Sequence, residues 1–386
     1  MFLAVGEPAP WFITASTTNP KYHFNSVAGR YVLLCFLNTA RSEASQQVLT
    51  DLWEHRAMLD DEFCCFFGIS TDPDDQASSR LKEHIPGIRF LWDFDKTISQ
   101  KFGAIEQNGA YHPCTYVLDE RLRVLAVVPF NTQPEHHVEQ LKTYLSELPA
   151  IAPDVPASVQ APILVVPRIF EPELCQTLID HYNQHGGQES GFMVEKDGRT
   201  IKNSDYGFKR RRDQKILDED LRNATTTRIH DRLVPEIQKA FQFNATRIER
   251  YIVACYDSES GGFFRPHRDN TTKGTRHRRF AVSLNLNTGE YEGGRLRFPE
   301  FGRQTYSAPA GGAVVFSCSL LHEATVVTAG VRYAYLPFLY DETAAKIREA
   351  NLSFLGEESL PADEVPQAKG FKPKASKSSR PRKKKR

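Results

Sequence analysis

The chain contains 386 residues, of which 40% are hydrophobic and 25% charged, a composition typical of a globular protein. This length exceeds what one hydrophobic core usually organises, so two domains are expected. No apolar run approaches the roughly 20 residues of a membrane-spanning helix, and the first residues lack the basic start and apolar core of a signal peptide. We therefore expect no membrane partner and a cytoplasmic location.

Seven cysteines are dispersed along the chain without a Cys-x-x-Cys pair. This spacing indicates neither a disulfide framework nor a zinc ribbon. We expect them to be reduced thiols packed mostly in the cores. They are Cys35, Cys64, Cys65, Cys114, Cys175, Cys255 and Cys318.

The first part of the chain alternates apolar runs with amphipathic stretches. The runs YVLLCFL (31–37) and FCCFFGIS (63–70) predict buried strands, with an amphipathic helix between them at 42–59. The segment TYVLDERLRVLAVV (115–128) predicts a hairpin. This order of elements predicts an α/β sheet with helices on its faces.

Residues 4–145 resemble a peroxiredoxin of the thioredoxin fold, through GEPAPWF, YVLLCFLN, FFGISTDPDD, LWDFDKTISQKFGA and HPCTYVLDERLRV. The chemistry of that family requires a cysteine at the start of the helix after the first core strand, where the helix dipole lowers its pKa. This chain has Ser42 and Ser45 in that segment and no cysteine. The resemblance therefore implies the α/β thioredoxin-like fold without the peroxidase activity. Cys114, where the family usually has an arginine, stays a minor redox candidate.

Residues 149–162 separate two domains. They contain four prolines and many small residues without a hydrophobic period, a composition typical of a linker. We accordingly place a first domain at 1–148 and a second at 163–345, followed by a tail at 346–386.

Short strands dominate the second domain. It opens with a strand and a helix that Glu171 and Pro172 begin and Gly186 ends, and a second helix follows around 233–243. Between residues 245 and 341, short apolar runs alternate with glycine-rich turns. This pattern predicts a double-stranded β-helix, or jelly roll, whose interior can hold a small ligand.

A candidate metal site lies in the segment GGFFRPHRDN, where His267 and Asp269 stand two residues apart. On a strand such residues point to the same side, and His322 can supply a third ligand from a later strand. Arg332, in an aromatic and aliphatic strand, would be costly to bury without an anion, and a dicarboxylate co-substrate provides one. Each residue alone has an ordinary structural explanation. Together, two imidazoles and one carboxylate form the facial triad of non-heme iron oxygenases.

Residues 163–345 resemble the iron and 2-oxoglutarate dependent dioxygenases, most closely the prolyl 4-hydroxylase branch. The order His267-x-Asp269, His322, Arg332 carries this resemblance, and CYDSESGGFFRPHRDN is similar to the corresponding segment of the oxygen-sensing prolyl hydroxylases. It implies Fe(II), 2-oxoglutarate as co-substrate, O2, and ascorbate (vitamin C) as reductant. The implied reaction hydroxylates a prolyl or other amino-acid or peptide substrate and releases succinate and CO2.

The same resemblance identifies two further co-substrate residues. It implies that Tyr256 donates a hydrogen bond to 2-oxoglutarate, although a buried aromatic with a bonded hydroxyl is an equally ordinary role. Asn285 stands where the oxygen-sensing branch has a second tyrosine, so contacts to the co-substrate are expected to differ there.

Two basic segments leave alternatives open. Four consecutive basic residues at 209–212 form either a solvated face or a binding surface for an acidic or peptide substrate. The last eighteen residues hold ten Lys or Arg and no acid, which predicts a disordered tail. This tail is a solubilising extension, a nuclear address in a eukaryote, or an arm that contacts nucleic acid or acidic partners.

Two other functions compete with the dioxygenase. A thiol peroxidase with an accessory barrel is disfavoured because the required cysteine is missing. A non-catalytic metal-binding protein that recruits partners is disfavoured because the triad is complete and Arg332 accompanies it.

Overall fold

The computed structural model describes residues 1–130, 132–153, 156 and 159–355. The chain divides into two compact units, with the boundary between residues 156 and 157, inside the expected linker. Within the described ranges, no helix is both long and apolar enough to cross a bilayer.

The first unit is a seven-stranded sheet flanked by helices, in the strand order β2-β1-β5-β4-β3-β6-β7. Strands β3, β4 and β5 are parallel, and the other pairs are antiparallel. Strands β3 and β4 are buried almost throughout, as expected for apolar runs covered on both faces. The elements are β1 Ile13–Ser16, β2 Tyr22–His23, β3 Tyr31–Asn38, α1 Glu43–Glu54, β4 Cys64–Ser70, α2 Pro73–Ala77, β5 Ile88–Trp92, α3 Thr97–Lys101, β6 Cys114–Leu118, β7 Val124–Pro129 and α4 Pro134–Ser146. The predicted α/β thioredoxin-like fold is confirmed.

The serines at the start of α1 have structural roles. Ser42 caps the helix and accepts a hydrogen bond from the backbone N–H of Ser45. The Ser45 side chain is fully buried, and its hydroxyl donates to the carbonyl of Leu37 on β3 at 3.1 Å. Both hydroxyls therefore tie the helix to its own first turn and to the sheet.

The cysteines of the chain are buried free thiols. Burial raises the pKa of Cys35 to about 12, and that of Cys65 to about 12 as well. Cys114 is fully buried on β6, and its burial also raises its pKa. Since the thiolate is the reactive form, these surroundings suppress thiol chemistry.

The described part of the second unit contains short strands and four α-helices. Its elements are β8 Ile163–Val166, α5 Pro172–His185, β9 Gln188–Glu189, β10 Phe192–Lys196, β11 Arg199–Asn203, β12 Lys209–Arg210, β13 Arg212–Lys215, α6 Glu219–Arg228, α7 Val234–Phe241, β14 Arg247–Glu249, β15 Ile252–Asp257, β16 Phe263–His267, β17 Phe280–Asn285, β18 Glu292–Gly293, β19 Leu296–Arg297, β20 Thr305–Tyr306, β21 Ala313–Ser317, β22 His322–Ala324, β23 Val327–Ala329, β24 Val331–Tyr335, β25 Phe338–Tyr340 and α8 Glu342–Asn351. A π-helical turn, Ile229–Leu233, joins α6 to α7, so the helix expected around 233–243 belongs to a longer helical segment.

Two sheets face each other in this unit. The major sheet has the order β14-β25-β17-β24-β15-β13-β9, with β21 paired to β17 and β8, and the minor sheet has the order β12-β16-β22-β19-β20. Residues of the major sheet and of α5 and α7 share one hydrophobic core, which covers the outer side of that sheet. The inner side remains for the cavity described below. The predicted jelly roll is confirmed.

The sequence prediction differs from the structure in three places. The first of the short apolar runs, ATRIERYIVACY (245–256), predicts one strand but forms two, β14 and β15, because the strand is interrupted at Arg250, whose φ is +69°. The region 188–215 contains five strands that were not predicted, since strands of two to five residues show no clear hydrophobic period. Helix α8, capped by Asp341, crosses the expected end of the domain at 345. The basic C-terminal segment lies outside the described residues.

Candidate metal centre and its cavity

The three candidate ligands converge on one point at the inner face of the minor sheet. His267 ends β16 and His322 begins β22, and the two residues are direct partners across this antiparallel pair. Partners on one rung of a sheet present their side chains on the same face. Asp269 lies in a turn just beyond β16, rather than on the strand itself, and its backbone N–H donates to the Cys318 carbonyl at 3.0 Å.

The spacing of the ligand atoms suits a metal ion. One atom of each residue lies within 4.8 Å of the other two. The Asp269 carboxylate oxygens lie 3.6 Å from Nε2 of His267 and 3.3 Å from Nε2 of His322. Among the residues that the structure describes, this is the one cluster of three such side chains with metal-binding spacing.

The hydrogen bonds of the histidines orient them for metal binding. Nδ1 of His267 lies 2.7 Å from the Arg265 carbonyl, and Nδ1 of His322 lies 3.0 Å from the Leu320 carbonyl. A carbonyl accepts a hydrogen bond from Nδ1–H, so Nε2 of each ring carries the lone pair, which faces Asp269 and the space between the ligands.

The charge states also fit a divalent metal. Burial lowers the pKa of His322 to about 4, so this ring is neutral near pH 7. Burial alone would raise the pKa of Asp269, but the His322 and His267 rings outweigh it and the pKa falls below its usual value. Neutral imidazole and ionised carboxylate are the forms that bind Fe(II).

Two glycines allow the tight reversal that leads into β16. Gly261 has φ +60°. A Cβ on Gly262 would lie 2.8 Å from backbone atoms of Tyr256 and Asp257, closer than a side chain tolerates. The pair therefore lets the chain fold back against the end of β15, which brings Tyr256 and His267 to the walls of one cavity.

A cavity of about 770 Å³ separates the two sheets, and the three ligands line it from the minor sheet. Arg332 lines it from β24 of the major sheet and is 2% exposed. Its Nη2 donates to Ser283 Oγ at 2.7 Å and to Asn285 Oδ1 at 3.0 Å. Its Nε is buried and has no hydrogen-bond partner among the described residues. A buried unpaired donor of this kind is costly, and a carboxylate in the cavity would satisfy it.

Tyr256 and Asn285 both surround this arginine. Tyr256 is the cross-strand partner of Arg332, whose guanidinium carbon lies 5.1 Å from the centre of the tyrosine ring. The Tyr256 hydroxyl accepts a bond from Arg211 at 3.3 Å. Asn285 donates to Ser307 and Ala308 and does not line the cavity. Asn285 thus holds Arg332 through its Oδ1, and its direct contact with the co-substrate stays a prediction.

The basic segment at 209–212 divides between the two roles that the sequence left open. Lys209 and Arg211 are buried and line the cavity. Arg210 and Arg212 are exposed; Arg210 donates to the Ser260 carbonyl at 2.9 Å. Alternate side chains of this segment therefore point into the cavity and towards solvent.

A buried charged network near Asp269 was not identified from the sequence. Glu249 accepts a bond from Arg278 at 2.7 Å and contacts Nε2 of His277. Arg278 also donates to the backbone carbonyl of Asp269 at 3.5 Å, so the network supports the turn that carries this ligand. These residues lie in the highly charged runs RIER and RHRR, which read as surface. Arg250, also in RIER, lines the cavity and was missed for the same reason.

Comparisons with known families agree with both resemblances. A model of the 2OG-Fe(II) oxygenase superfamily matches residues 251–340, which contain all three candidate ligands and Arg332. A model of the AhpC/TSA family matches residues 5–127.

Individual relatives share only parts of the chain. PKHD-type hydroxylases from two Synechococcus strains are 33% identical over 93 residues, which cover 22% of this chain and 41% of each relative. The chain thus spans about two fifths of the length of these curated relatives. A prolyl hydroxylase from Trichoplax adhaerens, solved with a peptide of hypoxia inducible factor, is 17% identical with a TM-score of 0.36, covering 49% of this chain and 86% of that one. Mycobacterium tuberculosis AhpC is 13% identical with a TM-score of 0.33, covering 38% and 93%.

Proposed function

We propose that the second unit is an Fe(II)- and 2-oxoglutarate-dependent dioxygenase that hydroxylates a prolyl or other amino-acid or peptide substrate and releases succinate and CO2. One observation carries this proposal: His267, Asp269 and His322 meet on one wall of a cavity whose facing wall presents the buried, incompletely paired Arg332. The matched oxygenase family supports it.

The donor set fits iron, and each residue has a distinct role in the proposed site. When bound, Fe(II) supplies the redox chemistry that couples oxidative decarboxylation of 2-oxoglutarate to hydroxylation of a C–H bond. His267 and His322 offer their Nε2 atoms, and Asp269 offers a carboxylate oxygen. Arg332 binds the far carboxylate of 2-oxoglutarate through donors that the protein leaves unused. The tyrosine hydroxyl of Tyr256 lies on the same wall and orients the co-substrate.

Aromatic rings pack against both candidate histidine ligands. The ring centroids of Phe264 and His267 lie 3.5 Å apart, and those of Phe316 and His322 lie 4.5 Å apart. These contacts restrict the orientation of both imidazole rings. A site that excludes water strengthens charge pairing inside it and limits side reactions.

The remaining assignments follow from this function. We propose O2 as the second co-substrate and ascorbate as the reductant that keeps the iron in the Fe(II) form. We place the protein in a reducing, cytoplasm-like compartment because all seven cysteines are free. We propose that the first unit, without a reactive thiol, is a recognition or packing module and not a peroxidase. Nuclear entry, and contacts of the basic C-terminal segment with nucleic acid or acidic partners, remain predictions.

An anaerobic titration with Fe(II) and 2-oxoglutarate tests the proposal without knowledge of the substrate. The native protein is expected to give the visible metal-to-ligand charge-transfer band, and Asp269→Ala to lose it. Asp220→Ala, which removes an exposed carboxylate from α6, is the matched control and should keep the band. A folded native protein without a band, or an unchanged band in Asp269→Ala, would contradict the assignment.

A further inference from the structure

Three cationic side chains and one carboxylate line a second wall of the cavity, which we call the cationic wall. They are Lys209, Arg211, Arg250 and Asp213. Arg211 forms a close ion pair with Asp213, with Nη2 2.7 Å from Oδ2 and Nε 2.6 Å from Oδ1. Arg250 lies farther away, with Nη2 3.8 Å from Oδ2. Asp213 compensates one of the three positive charges, so the wall has an excess of two when all are ionised.

Lys209 shows how poorly this charge is neutralised. The side chain is 5% exposed, and its Nζ donates to Ser190 Oγ at 2.8 Å and to the Gly191 carbonyl at 2.6 Å. Both acceptors are uncharged. Burial, together with the nearby Arg211 cation, lowers the pKa of Lys209 well below its usual value. An anion bound at this wall would raise the pKa of Lys209 again, because it would stabilise the ammonium form.

Arg250 is the least satisfied member of the wall. Its backbone has φ +69° between β14 and β15, a left-handed conformation that is costly for a side chain other than glycine. The structure gives its guanidinium no hydrogen bond to a described residue, only the distant ion pair with Asp213 and a contact 4.9 Å from the centre of the Phe338 ring. Burial and the Arg211 cation lower the pKa of Arg250 to about 10. Local strain that places a cation with only a long ion pair in a cavity is typical of a binding site.

This wall is separate from the Arg332 position. Arg332 is held by Ser283 and Asn285 of β17, whereas the cationic wall is built from β12, β13 and the connection between β14 and β15. The two groups share no anchoring residue, although Arg332 and Arg211 both contact the Tyr256 ring. The cavity therefore offers two cationic positions, and one dicarboxylate at Arg332 leaves the second unused.

We propose that Arg250 and Lys209 bind a carboxylate or phosphate group of the primary substrate, so that this substrate is an anion. The identification of this anion as the primary substrate rests on the proposed function, in which 2-oxoglutarate binds at Arg332. Two sources share this chemistry: the free carboxylate of an amino acid or peptide end, and an acidic side chain within a peptide. An uncharged substrate would leave the cationic wall unpaired, which is the physical basis of the expected discrimination.

Phosphate binding to the full chain tests the anion site without any turnover. Thermal unfolding is followed in phosphate against chloride at equal ionic strength, with metals chelated. In the Arg332→Gln background, which removes the other cationic position, Arg250→Gln is expected to bind phosphate about tenfold to a hundredfold more weakly, the loss of one charge-assisted hydrogen bond. Arg332→Gln should retain binding, and so should Arg276→Gln, an exposed control. Lys209→Gln provides a second test should Arg250→Gln not fold.

Two outcomes of this titration would overturn the proposal. One is unchanged phosphate binding when Arg250→Gln or Lys209→Gln is added to a folded Arg332→Gln protein. The other is complete loss of binding in Arg332→Gln, which would show a single anion position in the cavity.

Succinate release with matched prolyl peptides tests the substrate class. The three arms carry a free terminal carboxylate, an acidic side chain with an amidated end, or no charge. At least one anionic arm is expected to show kcat/KM about tenfold or more above the neutral arm, and Arg250→Gln to remove this difference without changing KM for 2-oxoglutarate. Equal use of the neutral arm would refute the substrate class. Absence of any 2-oxoglutarate turnover would instead refute the proposed function, while the phosphate titration still decides the anion site.

Discussion

Replacing Arg332 with glutamine should weaken 2-oxoglutarate binding by about tenfold to a hundredfold. Arg332 is 2% exposed, its Nη2 is engaged by Ser283 and Asn285, and its buried Nε is unpaired. A carboxylate that pairs with this group gains a charge-assisted hydrogen bond, which contributes about 1.5 to 3 kcal/mol. Since about 1.4 kcal/mol corresponds to a tenfold change in Kd, the expected range follows. Glutamine keeps a donor but loses the charge, so the residual affinity should be small.

The Kd for 2-oxoglutarate is read from the charge-transfer band during anaerobic titration of the iron-loaded protein. Asn285→Ala should give a smaller loss, about threefold to tenfold, because it removes one anchor of Arg332 worth about 1 kcal/mol. Arg295→Gln, at an exposed position, is the matched control and should bind as the native protein does. A folded Arg332→Gln variant with a Kd within about twofold of the native value would show that the co-substrate carboxylate binds elsewhere.

Three further outcomes are expected. His137 is buried in the first unit, and burial lowers its pKa from 6.5 to about 4. As the pH falls, the unfolded chain therefore takes up a proton at this histidine before the folded unit does. The free energy of unfolding of the unit should decrease by about 3 kcal/mol between pH 6.5 and pH 4. Urea unfolding at several pH values should show this pH dependence of the free energy of unfolding, and His137→Gln should reduce it. An equal pH dependence in the variant would show that His137 is not its cause. Glu249→Gln should destabilise the second unit by about 3 to 5 kcal/mol, measured by urea unfolding, because it leaves the buried Arg278 without its anion; a loss below about 1 kcal/mol would show that water reaches the network. The protein with a thiol reductant should not consume hydrogen peroxide, since its thiols are buried with raised pKa values for Cys35, Cys65 and Cys114; thiol-dependent consumption would refute this.

Elements with strong local signals were predictable from the sequence. The continuous apolar runs that form β3 and β4 and the capped helix α1 appear where the pattern placed them. The four residues His267, Asp269, His322 and Arg332 were also identifiable, because metal chemistry restricts both residue type and order. The structure brings all four to one cavity.

Features that depend on tertiary packing were not predictable. Arg250 and Glu249 belong to one charged run, and nothing in their residue types shows that the chain folds both inward. The strands between 188 and 215 are too short for a period of two to be recognised. The side-by-side burial of Lys209 and Arg211 becomes visible only when β12 and β13 are placed in their different sheets. In each case the deciding neighbour lies far away in sequence.

The pairing of His267 with His322 makes metal affinity a test of strand register. The two histidines face the same side only because β16 and β22 meet on this rung. A slip of one residue would turn His322 to the opposite face of the minor sheet and leave an incomplete ligand set. A metal ion would bind only the native register of β16 and β22, so its binding free energy would stabilise that register and no shifted one. Metal uptake during refolding should accordingly report when β16 and β22 have paired in the native register within the minor sheet.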